Sequence, residues 1–139
     1  MTLLDRGRDH ALAVFRIIVG FLFVCHGLQK VFGVLGSKGA VPLTSWPAGP
    51  AGLIELIGGL LIMLGLWTRV AALISSGAMA YAYFVVHQPR GLLPIENGGE
   101  LAAAYSWVFL LLAFTGPGAW ALDRVIAARK GQPAELATA

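Results

Sequence analysis

The chain has 139 residues, of which 58% are hydrophobic and only 12% charged, with a formal net charge of +3. An ordinary soluble domain carries about 25% charged residues, so this composition leaves too little polar surface for a water-soluble fold. One cysteine, Cys25, excludes an internal disulfide and a self-contained dithiol relay.

Four apolar runs, 11–33, 51–67, 70–87 and 101–116, come near the length of about 17 to 25 residues that crosses a bilayer. They predict an all-α polytopic membrane protein, an antiparallel four-transmembrane-helix bundle forming one domain over 1–130. An interfacial stretch is expected at 118–129 and a loose tail at 131–139. Arg6 and Arg8 precede the first run in the manner of a secretory signal. Arg16, His26 and Lys30 interrupt it and no clean cleavage site follows, so it reads as an uncleaved helix. Arg16, Gly20, Phe23, Gly27 and Lys30 recur at helical spacing on one stripe. Arg16 and Lys30 would stand about 21 Å apart, near opposite edges of the slab. Either both charges snorkel to the interfaces, or the stripe packs against other helices through its glycines.

The segment 34–50, with Gly36, Gly39, Pro42, Pro47, Gly49 and Pro50, reads as a long loop able to fold over one mouth of the bundle. In the second helix Glu55 heads a row of Gly58, Gly59 and Gly65, and its nearest cation is Lys30. That pair is open to two readings, a structural lock between the first two helices or a proton-handling group beside a ligand. A tight turn at 66–69 leads to the third helix, which ends in Tyr81, Tyr83 and His87, the last two on one α-helical face. An irregular connection at 88–99 brings the chain to the fourth helix, where Glu100 suits the positive end of the dipole.

Orientation follows from the basic residues, which favour cytoplasmic connections. Arg6, Arg8, Arg69, Arg124, Arg129 and Lys130 fall on the side of the termini, with Lys38 and Arg90 opposite, so both termini are expected in the cytoplasm. Trp67 and Trp120 suit the same interface. The positive charge is thus a topology signal, with the lipid bilayer as partner and no call for nucleic acid.

His26, Lys30, Glu55, His87 and Glu100 then gather near the outer side. Two imidazoles and two carboxylates can bind a transition metal, but no closely spaced histidine pair supports a metal centre. The same groups can hydrogen-bond a quinone headgroup or another small polar ligand. The candidate catalytic residues are His26, Lys30 and Glu55, and the candidate ligand-binding residues are Tyr83, His87, Glu100 and Arg16. No phosphate-cradling loop or serine nucleophile motif is present.

Several motifs recur in a particular order: the Arg16, Gly20, Gly27 and Lys30 frame; Glu55 with Gly58 and Gly59, leading to the run from Gly65 to Ala71; then His87, Glu100, Gly116, Gly118 and Asp123. In this the chain resembles the DoxX family of small bacterial four-helix membrane proteins. The resemblance implies a multi-pass plasma-membrane protein associated with redox or sulfur metabolism, with similarity to a thiosulfate:quinone oxidoreductase subunit. The leading expectation is an accessory membrane subunit of such a system that holds a quinone-like or small sulfur ligand. Lys30 would stabilise negative charge, a histidine would shuttle protons, and the glutamates would orient or neutralise. Redox partner proteins or a homodimer would complete it. The alternative is non-enzymatic: a small-molecule or metal carrier, or a scaffold that recruits partners through glycine-rich faces.

Overall fold

Helix formation in this chain begins before the apolar run does. The computed structural model describes residues 3–129, and α1 (Leu3–Phe32) starts with a polar turn in which Asp5 complements the helix dipole. The other helices are α2 (Ala48–Leu64), α3 (Thr68–Tyr81), α4 (Pro94–Asn97), α5 (Glu100–Thr115) and α6 (Leu122–Arg129). No strand occurs among the described residues, and the tail expected at 131–139, with Lys130, lies outside them. α3 continues without a break through a π-helical turn, Ala82–His87, and a 3-10 turn, Gln88–Arg90. The stretch Asp5–Phe32 and the continuous helix Thr68–Arg90 are each long and apolar enough to cross a bilayer, and α2 and α5 are shorter apolar helices.

The boundaries depart from the apolar runs for local reasons. α2 begins at Ala48, ahead of residue 51, because Pro50 sits in the first turn, where its missing N–H is not needed. It ends at Leu64, short of residue 67. Gly65, at φ 71°, donates to Ile62 O while Leu66 N donates to Leu61 O, the paired bonds of a Schellman motif. Trp67 and Trp120 therefore do not close helices. Both lie in connections, in the left-handed region with φ of 47° and 52°.

Glycine sets how closely α1 and α2 approach. A Cβ on Gly20 would come within 2.7 Å of Met63 N, and one on Gly59 within 2.8 Å of Val24 N. A Cβ on Gly27 would meet the backbone of Leu56. As α1 ascends from Gly20 to Gly27, its neighbours in α2 descend from Met63 to Leu56, so the two helices are antiparallel. α3 and α5 are antiparallel as well: Arg69 Nη1 donates to Ala113 O at 2.7 Å, and Ser76 Oγ donates to Ser106 O at 2.8 Å. Gly58 faces Ser75 of α3, so the glycine faces expected to recruit other molecules pack inside this chain.

Between the helices lie Phe23, Ile62, Ala72, Phe109 and Leu112, with the Tyr105 and Phe109 rings stacked at 5.4 Å. The outside is also apolar. Phe21, Ile57, Ile74, Leu111 and Phe114 are exposed, Phe114 by 77%. Water-soluble monomers rarely present contiguous apolar patches beyond a few hundred Å², so this surface suits lipid.

One end of the molecule is tied by two charged side chains. Arg16 is 0% exposed. Its Nε donates to Pro117 O at 2.8 Å, Nη1 to Ile62 O and Met63 O at 2.7 Å, and Nη2 to Trp120 O at 3.2 Å and Ala119 O at 3.4 Å. Carbonyls at the end of α2 and in the α5–α6 connection are thereby satisfied by one guanidinium. The Asp123 carboxylate accepts from Trp67 N at 2.8 Å and Thr68 N at 3.1 Å, capping α3 from a distant part of the chain. Asp9 and Arg124 add an exposed pair at 2.9 Å.

Replacing Arg16 by Leu is expected to cost about 3 kcal/mol or more, since buried carbonyls on two connections lose their donors together. Gly27→Leu is expected to cost about 1–3 kcal/mol by forcing α1 from α2. Denaturant titration of the purified protein, read by circular dichroism, checks both, and wild-type stability in either variant would contradict these roles.

Candidate functional site

The residues farthest from the Arg16 end converge on a cavity of about 190 Å³ bounded by α1, α2, α3 with its π turn, and α5. α1 contributes Phe23, His26 and Lys30, and α2 contributes Glu55. Met79, Ala82 and His87 line it from the third helix, with Gly98, Leu101, Ala102 and Tyr105 opposite. Four of the seven sequence candidates, His26, Lys30, Glu55 and His87, thus share one space.

Within that space Lys30 Nζ donates to Glu55 Oε1 at 2.5 Å. The partners are unequally buried, the Lys30 side chain being 34% exposed and that of Glu55 4%. The pairing is built by the backbone: a Cβ on Gly52, one turn before Glu55, would lie 2.9 Å from Lys30 Cβ, so the glycine leaves room for the lysine stem. Glu55 Oε2 is buried and has no hydrogen-bond partner among the described residues. An unsatisfied carboxylate oxygen is costly in a low-dielectric setting, and it marks the place where a bound donor would be most favoured.

His26 lies edge-on to Tyr105, with ring centroids 6.0 Å apart. His87 Nδ1 is 3.3 Å from Asn97 O, which ties the end of the third helix to the loop carrying α4. Asn97 is itself held, donating from Nδ2 to Gly91 O and accepting from Gly99 N at Oδ1. The π turn matters for His87. An i→i+5 turn stacks residues five apart, so His87 falls over Ala82, and both line the cavity.

The other three candidates are placed elsewhere. Tyr83 stays next to His87, both of them packed beside Gly99, but it does not line the cavity. In the π turn it lies against Phe84, ring centroids 5.2 Å apart, and beside Gly99. Glu100 is exposed at the first residue of α5 and does not line the cavity. Arg16 is at the opposite end, with its guanidinium engaged by backbone carbonyls, so its role is architectural. Tyr105 was absent from the sequence-based set, although its spacing from Ala102 and Phe109 puts a lone phenol on the inner face of an otherwise apolar helix. Among the described residues no group of three His, Cys, Asp or Glu side chains converges as a metal site would.

A second cavity, about 360 Å³ and mainly apolar, has Lys30, Ala82 and His87 among its walls in common with the first. It lies between α2, the third helix and the end of the long loop, with Trp46, Pro47, Ile54, Ala78 and Tyr81 among its walls. Trp46 Nε1 donates to Tyr81 Oη at 3.1 Å and the two rings meet edge-on. The loop is anchored at its other end by Val41 N, which donates to Lys30 O at 2.7 Å.

This arrangement can be set beside known proteins. Residues 11–88 match the family described as DoxX. The chain belongs to the DoxX family. It is 46% identical to an uncharacterized protein of Haemophilus influenzae, an alignment covering 88% of this chain and 96% of the relative. It is 32% identical to the inner membrane protein YqjF of Escherichia coli, over 85% of this chain and 93% of that protein. It is also 32% identical to CatD of Bacillus subtilis, described as a candidate oxidoreductase, over 78% and 81% of the two chains. No solved structure matches. The family match spans α1, α2 and the third helix as far as Gln88, and so includes His26, Lys30, Glu55 and His87. The chain is a DoxX-family membrane protein.

The Lys30–Glu55 pair can be tested by comparing single and double replacements. Lys30→Met alone strands a buried carboxylate and is expected to destabilise by about 1–3 kcal/mol. Lys30→Met combined with Glu55→Gln is expected to recover most of that loss, because no uncompensated charge remains. Denaturant titration of the two variants decides it, and a double variant no more stable than the single one would contradict the account.

Proposed function

We propose that this DoxX-family protein is an accessory membrane subunit of a redox or sulfur-metabolism system, binding a quinone-like or small sulfur ligand beneath the outer face of the bacterial plasma membrane. The observation that carries this reading is the convergence of His26, Lys30, Glu55 and His87 on one cavity, with a carboxylate oxygen left unpaired inside it. Polar and ionisable groups at membrane depth are expensive and are retained where they serve a ligand or proton path. The cavity offers a cation to stabilise developing negative charge, two imidazoles for proton exchange, and a carboxylate to orient a hydroxyl or thiol. The description of CatD as a candidate oxidoreductase agrees with this chemistry, and the placement of YqjF in an inner membrane agrees with the compartment.

In this reading residues 1–130 form a single domain whose four apolar helices, α1, α2, the extended third helix and α5, cross the bilayer antiparallel. Both termini are then cytoplasmic. Arg69 and Arg124 accompany the Arg16 end, and Arg90 and the cavity lie at the other, in keeping with the preference of basic residues for the cytoplasmic side. A partner protein supplies or accepts the electrons in this reading.

Two measurements test the proposal. Membranes carrying the wild-type chain are expected to support quinone reduction with thiosulfate or sulfide as donor. Glu55→Gln is expected to lower the rate about a hundredfold, the lower end of what a positioned proton-handling group contributes. An unchanged rate would refute a role for the cavity. For topology, Ser37→Cys in a Cys25→Ser background is expected to react with a membrane-impermeant maleimide added to intact cells with the outer membrane permeabilised. Cysteine placed at Arg8 is expected to react only after the inner membrane is opened.

A further inference from the structure

At the Arg16 end, on the seam between α3 and α5, a second arginine is held in place with its charge unanswered. Arg69 stands in the first turn of α3, and its Nη1 donates to Ala113 O at 2.7 Å and to Phe114 O at 2.9 Å, at the end of α5. Carbonyls are neutral, so these bonds fix the guanidinium without cancelling its charge. Among the described residues Arg69 joins neither ion pair, Lys30–Glu55 or Asp9–Arg124. The Asp123 carboxylate at the same end accepts from Trp67 and Thr68 instead.

The guanidinium also has donors to spare. Both of its hydrogen bonds leave from Nη1, and Nε is buried with no partner among the described residues. A Cβ on Gly116 would lie 3.1 Å from Nη2, so the glycine leaves room for the planar fork. Below the charge lies a groove of about 210 Å³ whose other walls are Val70, Leu73, Ala113 and Phe114. Val70, Leu73 and Phe114 are exposed, which opens the groove sideways to the surroundings of the bundle. From Arg69 the walls run one helical turn along α3 to Leu73, so the charge caps one end of an apolar trough. Trp67 and Trp120, both exposed at this end, suit the depth of a membrane interface.

We propose that this groove seats one anionic phospholipid, with its phosphodiester on Arg69 and an acyl chain against Val70, Leu73 and Phe114. Arginine matches phosphate because its fork offers several N–H donors in one plane. A free phosphate would satisfy the guanidinium and leave the trough bare, so the apolar walls favour a lipid. A zwitterionic headgroup brings its own cation toward the arginine, whereas an anionic one does not, and basic pockets between membrane helices select acidic headgroups for this reason. The site stands on these helices crossing the bilayer and is independent of the cavity around Glu55 at the other end.

The test uses the full-length protein purified in mild detergent and titrated with palmitoyl-oleoyl phosphatidylglycerol or the matching phosphatidylcholine, bound lipid being counted by native mass spectrometry. Phosphatidylglycerol is expected to bind about fivefold more tightly, the effect of one basic residue on an acidic headgroup. Arg69→Gln is expected to remove that preference, and Arg90→Gln, which deletes the same charge at the opposite end, to keep it. Leu73→Trp fills the trough from an exposed position and is expected to weaken both lipids alike by about tenfold, as losing contact with two methylenes would. That variant keeps the proposal testable if Arg69→Gln does not fold. Excess inorganic phosphate is expected to leave phosphatidylglycerol bound. Equal affinity for the two lipids in the wild type, or a loss of preference in Arg90→Gln equal to that in Arg69→Gln, would overturn the role of Arg69. Unchanged binding in Leu73→Trp would overturn the seating of the chain, and displacement by inorganic phosphate would overturn the lipid itself. Quinone reduction by Glu55→Gln is read separately, so failure here leaves the reading of that cavity untouched.

Discussion

The end of the fold around Arg16 depends on one guanidinium that gathers carbonyl groups from two separate connections. Arg16 reaches the last turn of α2 and the connection between α5 and α6 from the middle of α1. In lipid no water can take its place, so each carbonyl must be satisfied from within. Arginine is suited to this because its planar fork presents five N–H donors in fixed directions. Asp123, on the helix that follows those carbonyls, then caps α3. Two side chains of opposite charge thus close the two connections at this end, 65–67 and 116–121.

With that end fixed, the glycine seam between α1 and α2 determines the geometry at the other. Gly20, Gly27, Gly52 and Gly59 let the helices run close together along their length. That proximity delivers Lys30 to Glu55, and it explains why a functional cluster can be formed from residues on separate helices without a binding loop. The third helix contributes His87 through a π turn, a widening of the backbone that sequence periodicity based on 3.6 residues does not anticipate.

The apolar runs announced the helices because burial in lipid demands long uncharged stretches, and the Arg16 to Lys30 stripe announced the inner face of α1 because helical spacing is regular. The Lys30–Glu55 pairing was legible for the same reason, as the sole carboxylate of one run facing the lysine of its neighbour. Tyr83, Glu100 and Arg16 were expected at the site and lie outside the cavity lining. Tyr83 lies beside His87 without lining the cavity, and Arg16 has backbone partners more than forty residues away, which no local pattern encodes. The Trp46–Tyr81 contact was invisible in the same way, since it joins a loop to a helix across 35 positions.

The burial of Glu55 beside Lys30 has a consequence for biogenesis. An isolated helix carrying a charge near its middle inserts into a bilayer at a cost of about 2.5–3.5 kcal/mol, less toward the ends. α1 brings Arg16 and Lys30 to the translocation machinery before the carboxylate that neutralises one of them has been synthesised. The first two helices are therefore best delivered to lipid as a preassembled hairpin, already in contact through their glycines, so that a cation and an anion leave water as a neutral couple.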